Sequence, residues 1–113
     1  MTAKNLLDSA VINLGYRKSD DVYEVAITFI NQVCADICTA MSKTYYPIHS
    51  LADRLCLPDQ VASNVAVYGL AMYLALYRGD GDKNQFYSAL YSQKRRLLSS
   101  SSSIVDNLPR GDD

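Results

Sequence analysis

The side chains of this chain with the widest chemical reach are three cysteines and a single histidine: Cys34, Cys38, Cys56 and His49. Cys34 and Cys38 stand four apart, so on a helix both thiols share one face. Such a pair can open a zinc site, but a metal centre needs more ligands, and His49 is the only histidine present. The three thiols read instead as small buried hydrophobes of a protein kept in a reducing compartment. His49 could serve as a general base, yet nothing local supplies a nucleophile or an orienting acid. There is no glycine-rich loop before a basic residue, no HExxH and no nucleophile elbow. The chain is therefore expected not to be an enzyme, with no catalytic residue, no metal and no cofactor.

Four further patterns have a binding reading. Gly79-Asp80-Gly81-Asp82 faintly suggests a calcium loop, but it lacks the spaced oxygen ligands and the distal glutamate, and a turn followed by a helix cap explains every residue. Arg110-Gly111-Asp112 spells an adhesion tripeptide, too short to carry an argument. Lys94-Arg95-Arg96 is either a solvated helix end or a contact for an acidic partner or for DNA passing nearby. The stretch from Ser50 to Ser63 has the rhythm of a helix-turn-helix, with Asp59–Val67 as recognition helix. It would offer Gln60, Ser63 and Asn64 to base edges, but only Arg54 to phosphates. A helix-turn-helix regulator is accordingly the second reading.

The elements that must position these residues follow from composition and periodicity. A chain of 113 residues is one domain with a modest core. A formal net charge of −1 argues against a large basic field for nucleic acid. Nine tyrosines and no tryptophan suit wet-edged contact surfaces. The start, MTAKNLLDSA, has no basic region followed by a long apolar run, so no signal peptide is expected. Gln60–Tyr77 carries no charge, but Gln60, Ser63, Asn64, Gly69 and three tyrosines, with no basic anchor ahead, favour a buried or interface helix over a membrane span.

Leu6, Leu7, Ala10, Val11 and Leu14 recur at helical spacing within Thr2–Leu14, and Gly15 fits the helix end. After a Tyr16–Lys18 linker, Ser19, Asp20 and Asp21 can cap a second helix, Asp21–Lys43, ended by Tyr45-Tyr46-Pro47. Its two apolar stripes (Val22, Val25, Ala26, Phe29, Val33, Ile37, Met41; and Tyr23, Ile27, Ile30, Cys34, Cys38) make an arc wider than the usual ~100° face, which requires neighbours on two sides. A connector over Ile48–Cys56 has room for one helical turn at Ser50–Leu55. Pro58 suits the first turn of a third helix. That helix shows Val61, Val65, Tyr68, Met72 and Leu76 on one face and Ala62, Ala66, Gly69, Tyr73 and Tyr77 on another, the small residues permitting close approach. Gly79 can terminate it and Asp82 can cap the fourth, which must pack antiparallel after so short a link. The fourth helix is expected to bury Phe86, Tyr87, Leu90, the stem of Lys94, Leu97 and Leu98.

From Ser99 the composition changes to five serines, then Ile104-Val105-Asp106-Asn107-Leu108-Pro109. Too few apolar residues remain there for a core, so 99–113 is expected to be a flexible arm behind a helical domain, 1–98, with Ile104, Val105 and Leu108 ordered by a partner. An uncharged third helix in so small a chain further implies apolar surface left for other subunits, with Val61, Val65, Tyr68, Tyr73 and Tyr77 as the interface.

Several of these segments together resemble the adaptor, or head–tail connector, proteins of tailed bacteriophages. The residues that carry the resemblance are Leu57-Pro58-Asp59, Val67-Tyr68-Gly69-Leu70-Ala71-Met72-Tyr73-Leu74-Ala75, Gly79-Asp80-Gly81-Asp82-Lys83, Phe86-Tyr87 with Leu90-Tyr91, the Ser-Leu-x-Asp-x-Leu rhythm of Ile48–Leu57, and the closing Ile104-Val105-Asp106. The resemblance implies an all-α bundle of about four helices in the virion, at the head–tail interface, made in the cytoplasm of the bacterial host. It implies a homo-oligomeric ring, typically a dodecamer, beneath the portal protein, joined below to a stopper or tail-completion protein. DNA would pass through the lumen without sequence specificity during genome ejection. The arm residues Ile104, Val105, Asp106 and Leu108 would dock on the portal, and Lys94, Arg95 and Arg96 would contact the lumen or a partner. No membrane is involved. The near-neutral charge suits a channel in which DNA slides rather than sticks.

Overall fold

The computed structural model describes residues 1–17 and 20–107, with side chains over 1–17 and 21–98. The fold is all-α. Four helices follow one another: α1 (Ala3–Leu14), α2 (Asp20–Ala40), α3 (residues 59–77) and α4 (Gly81–Asn107). The described residues contain no strand, only an isolated antiparallel bridge between Thr2 and Arg54.

Local chemistry sets the helix ends. The Thr2 hydroxyl accepts a hydrogen bond from the Asn5 N–H at 3.2 Å, which caps α1. At its far end Gly15 turns left-handed, φ 71°, and the Gly15 and Tyr16 N–H groups return to the Ile12 and Val11 carbonyls at 3.1 and 3.2 Å. The same closure ends α2 at Ala40, three residues short of the expected Lys43. Ser42 takes the left-handed conformation at φ 56°, and the Ser42 and Lys43 N–H groups bond back to Thr39 and Cys38. The helix stops before Pro47 because the connector turns back along α2. There the Asn31 amide donates to the Ile48 carbonyl at 3.0 Å and accepts from the Ile48 N–H at 2.8 Å.

No helical turn forms over residues 50–55. Instead the Asp53 carboxylate gathers the His49 and Ser50 N–H groups at 2.8 and 3.0 Å, making a tight turn. That turn presents the Asp53 and Leu51 carbonyls to the Ala3 and Lys4 N–H groups, both at 2.9 Å, so the open donors at the start of α1 are met by the connector.

Between α3 and α4, Gly79 stands at φ 75°, and the Gly79 and Asp80 N–H groups close on Leu76 and Ala75. The cap of α4 is Asp80, which accepts from the Lys83 N–H at 3.3 Å, and not Asp82 as expected. The helix begins two residues early, which leaves Asp82 in the first turn, where its charge still favours the dipole.

The core is organised around α3, which touches each of the other three helices. Its Ala62, Ala66, Leu70, Ala71, Leu74 and Ala75 are fully buried, against Leu6, Leu7 and Ala10 of α1, Ala26, Ile30 and Val33 of α2, and Tyr87 and Tyr91 of α4. The chain's own helices thus cover most of this uncharged helix, so the apolar surface expected to be left for other subunits is smaller than its composition suggests. A central position surrounds its apolar residues on several sides; its polar Gln60, Ser63 and Asn64 face solvent, and its C-terminal turn emerges, with Leu76 63% and Tyr77 45% exposed. On α4, Tyr87 and Tyr91 are buried, but the expected Phe86 and Leu97 are 62% and 60% exposed, lying off the stripe that faces α3. The helix also runs on through residues 99–107, where a flexible arm is expected to begin. Propagating an established helix adds one bond per residue, and serine opposes it only weakly.

At Gly69 the ring of Tyr91 lies against α3. A Cβ there would lie 2.8 Å from Cε1 of Tyr91. We predict that Gly69→Ala lowers stability by about 1 kcal/mol, because overpacking of ~1–3 kcal/mol outweighs the ~1 kcal/mol gain in helix propensity. A urea midpoint that rises would show the ring giving way. The backbone N–H groups of His49 and then Ser50 hold the Asp53 carboxyl below the usual carboxylate range. A folded-state value below the unfolded ~3.9 contributes stability above that pH, lost as pH falls through the folded value. Asp53→Ala should therefore flatten the loss of stability on acidification below about pH 4, read by thermal melts across a pH series.

Candidate interaction surfaces

α3 is a composite helix: Asp59–Val61, then a π-helical turn, Ala62–Ala66, then Val67–Tyr77. The Val67 N–H reaches back five residues to the Ala62 carbonyl, and the extra residue rotates the helix face beyond it. Nothing in the sequence signals this turn. A groove of about 220 Å³ opens beside it, lined by Gln60, Val61, Asn64, Val65 and Leu98.

The residues expected at a subunit interface are dispersed around α3. Val61 is half-buried at the groove, and Val65 is 6% exposed, packed within the chain's own core. Tyr68 and Tyr73 are half-buried and belong to different aromatic clusters. In the first, Phe29 of α2 stacks on Tyr73 with centroids 5.4 Å apart and meets the Tyr77 ring edge-on at 6.2 Å. In the second, Tyr68 stacks on Tyr87 at 6.2 Å, and Phe86 meets Tyr87 edge-on at 5.0 Å. Five residues at 3.6 per turn set Tyr68 and Tyr73 about 140° apart on α3, so the clusters surface on different sides of the helix. Tyr77 ends one and Phe86 the other, each with an exposed ring. Helical spacing already sets Tyr68 on a different face from Tyr73 and Tyr77; what it does not reveal is that Phe29 and Phe86, from other helices, complete the clusters.

The basic residues divide as well. Arg95 donates to the Asp36 carboxylate at 2.6 Å, and the same oxygen accepts from the Tyr91 hydroxyl at 2.6 Å. Burial first, and this bond second, hold the Tyr91 phenol far above its ordinary range. Lys94 places its ammonium over the Tyr68 ring, 5.2 Å from the centroid. Arg96 is exposed and borders a cleft of about 300 Å³ shared with Ala40, Ser92 and Arg95. Of the arm residues, Ile104, Val105 and Asp106 lie on the last turns of α4, and Leu108 lies outside the described residues.

The helix-turn-helix unit does not form. Residues 41–58 are turns and extended chain, so no first helix precedes α3, although Gln60, Ser63 and Asn64 are exposed. Gly79-Asp80 is a helix closure, and Asp80 is engaged with Tyr16 at 3.0 Å as well as with the α4 backbone. Among the described residues no group of three or more His, Cys, Asp or Glu side chains is placed to hold a metal ion, and no helix is long and apolar enough to cross a membrane. No family model, curated protein or solved structure matches this chain.

We predict that Tyr91→Phe costs about 1 kcal/mol in stability, the net worth of one hydrogen bond, because the ring keeps its packing on Gly69 while Asp36 keeps Arg95. Chemical denaturation monitored by helical signal measures it.

Proposed function

We propose that this chain is a virion structural subunit, a head–tail adaptor of the tailed-bacteriophage type that assembles as a homo-oligomeric ring beneath a portal protein. In this reading it hands the joint to a stopper or tail-completion protein, and DNA passes through the ring. The observation that carries the proposal is the pair of aromatic clusters that reach the surface on different sides of α3, one through Tyr77 beside Leu76 and one through Phe86. A closed ring needs two unlike patches on each subunit, one meeting the other on the neighbour. The ordered set of segments from Ile48 to Asp106 supports the same reading by resemblance.

The helical backbone that continues to Asn107 is compatible with a portal-docking role for Ile104, Val105 and Asp106. Arg96 is the basic residue with the freest outlook for the lumen or a partner, since Arg95 is tied to Asp36 and Lys94 lies on Tyr68.

Negative-stain imaging of the purified chain, alone and mixed with the portal protein from the same genome, tests the proposal. Rings are expected with the portal present. The chain cut after Leu98 should retain the helical signal of α1, α2, α3 and the part of α4 that packs on them, and lose portal binding. Replacing Leu76 and Tyr77 by serine should weaken ring formation at least tenfold with little change in melting. A chain that stays monomeric with the portal, or duplex binding by the isolated chain that weakens steeply with salt, would overturn it in favour of a DNA-binding role.

A further inference from the structure

We infer that Cys38 and Cys56 form a reversible disulfide that clamps the 41–58 connector onto α2 when the protein meets an oxidising thiol–disulfide environment. The inference stands apart from the ring. Cys38 lies on the last turns of α2 and Cys56 in the bend just before α3, and their sulfur atoms already touch at 3.6 Å. Neither is engaged in a bridge in the structure described, where all three cysteines are free. The backbone on both sides is held in place. The Cys38 carbonyl accepts from the Lys43 N–H at 2.8 Å, and the Leu55 N–H donates to the Met1 carbonyl at 3.1 Å. Closing the bond therefore asks for side-chain rotation and a small approach, with no rearrangement of helices.

Access picks out the order of events. Cys34 and Cys38 are buried, and burial above all holds their thiols up at about 12 and about 11. Cys56 is only half-buried and is the thiol that a small molecule can reach. With a glutathione-type disulfide as oxidant, the Cys56 sulfur, having given its proton to solvent, attacks one sulfur of the disulfide. A mixed disulfide forms and one small thiol leaves. The Cys38 sulfur loses its proton, attacks the Cys56 sulfur and expels the second small thiol. Two protein thiols are oxidised and one small-molecule disulfide is reduced to two thiols. Cys34, one turn before Cys38 on α2, is the competing partner.

The clamp would tighten the segment on which the start of α1 hangs. Closing the intervening loop, residues 39–55, removes freedom from the unfolded chain, so melting should shift upward by several degrees. The test exposes the full folded chain to oxidised glutathione. Two of its three thiols should vanish, the mass should fall by two hydrogen atoms, and the melting temperature should rise and return on reduction. A protease cutting before aspartate, at Asp36, Asp53 and Asp59, places the three cysteines on separate peptides, so the unreduced map of the unmutated chain names the pair. Cys34→Ser should leave the bridge intact, and Cys38→Ser should leave a lasting glutathione adduct on Cys56. A Cys34–Cys56 bridge, an adduct that persists in the unmutated chain, disulfide-linked dimers, or three unreacted thiols would each overturn the inference.

Discussion

The contact between the backbone of α3 at Gly69 and the ring of Tyr91 governs this molecule. With no side chain between them, the helices come close enough for the ring to lie against the peptide groups. The phenol then projects past α3 to reach Asp36 on α2. One tyrosine thus fixes the separation of α3 and α4 and ties both to α2. Arg95, one turn along, adds a charge-assisted bond to the same carboxylate. Larger side chains at residue 69 would lever α4 outward and break both bonds, so the glycine and the polar network are a single unit.

How legible this was in the sequence depended on the range of the physics involved. Apolar spacing located α1 and its buried face, Leu6, Leu7, Ala10, Val11 and Leu14, because a short helix against one core has one stripe to declare. Gly15 and Gly79 marked two ends for the same local reason. Some misplaced features are decided at a distance, others by a competing bond within a few residues. Asn31 draws the connector back along α2, which ends that helix before Lys43. Asp53 makes a turn where its neighbours allow a helix, because the carboxylate collects N–H groups that a helix would use otherwise. Phe86 and Leu97 have core composition but face outward, a matter of the rotation of α4 about its axis that periodicity alone leaves open by one position.

The candidate surfaces show the same division. Spacing puts Val61, Val65, Tyr68, Tyr73 and Tyr77 on two faces of one helix, and their surroundings depend on α2 and α4, which contribute Phe29, Phe86 and Tyr87. The central placement of α3 absorbs most of the apolar area that composition suggests is surplus, and what reaches solvent is aromatic, localised and divided between two sides. In the proposed ring, that division decides handedness of contact: a neighbour is met by unlike surfaces, never by the same surface turned about. The π-helical turn contributes by rotating the tyrosines beyond it relative to Val61, which sits at the groove.

The two ends of α1 are completed by segments far away in the chain. Its first donors are met by the carbonyls of Leu51 and Asp53, while its last acceptors, the carbonyls of Asn13 and Leu14, are met by the Tyr87 hydroxyl at 3.0 Å and the Lys83 ammonium at 2.6 Å. Helices this short are marginal when isolated in water. α1 is therefore among the last segments to settle, because its final partners are synthesised some seventy residues after it, and a nascent chain halted before Lys83 would hold this helix unfinished.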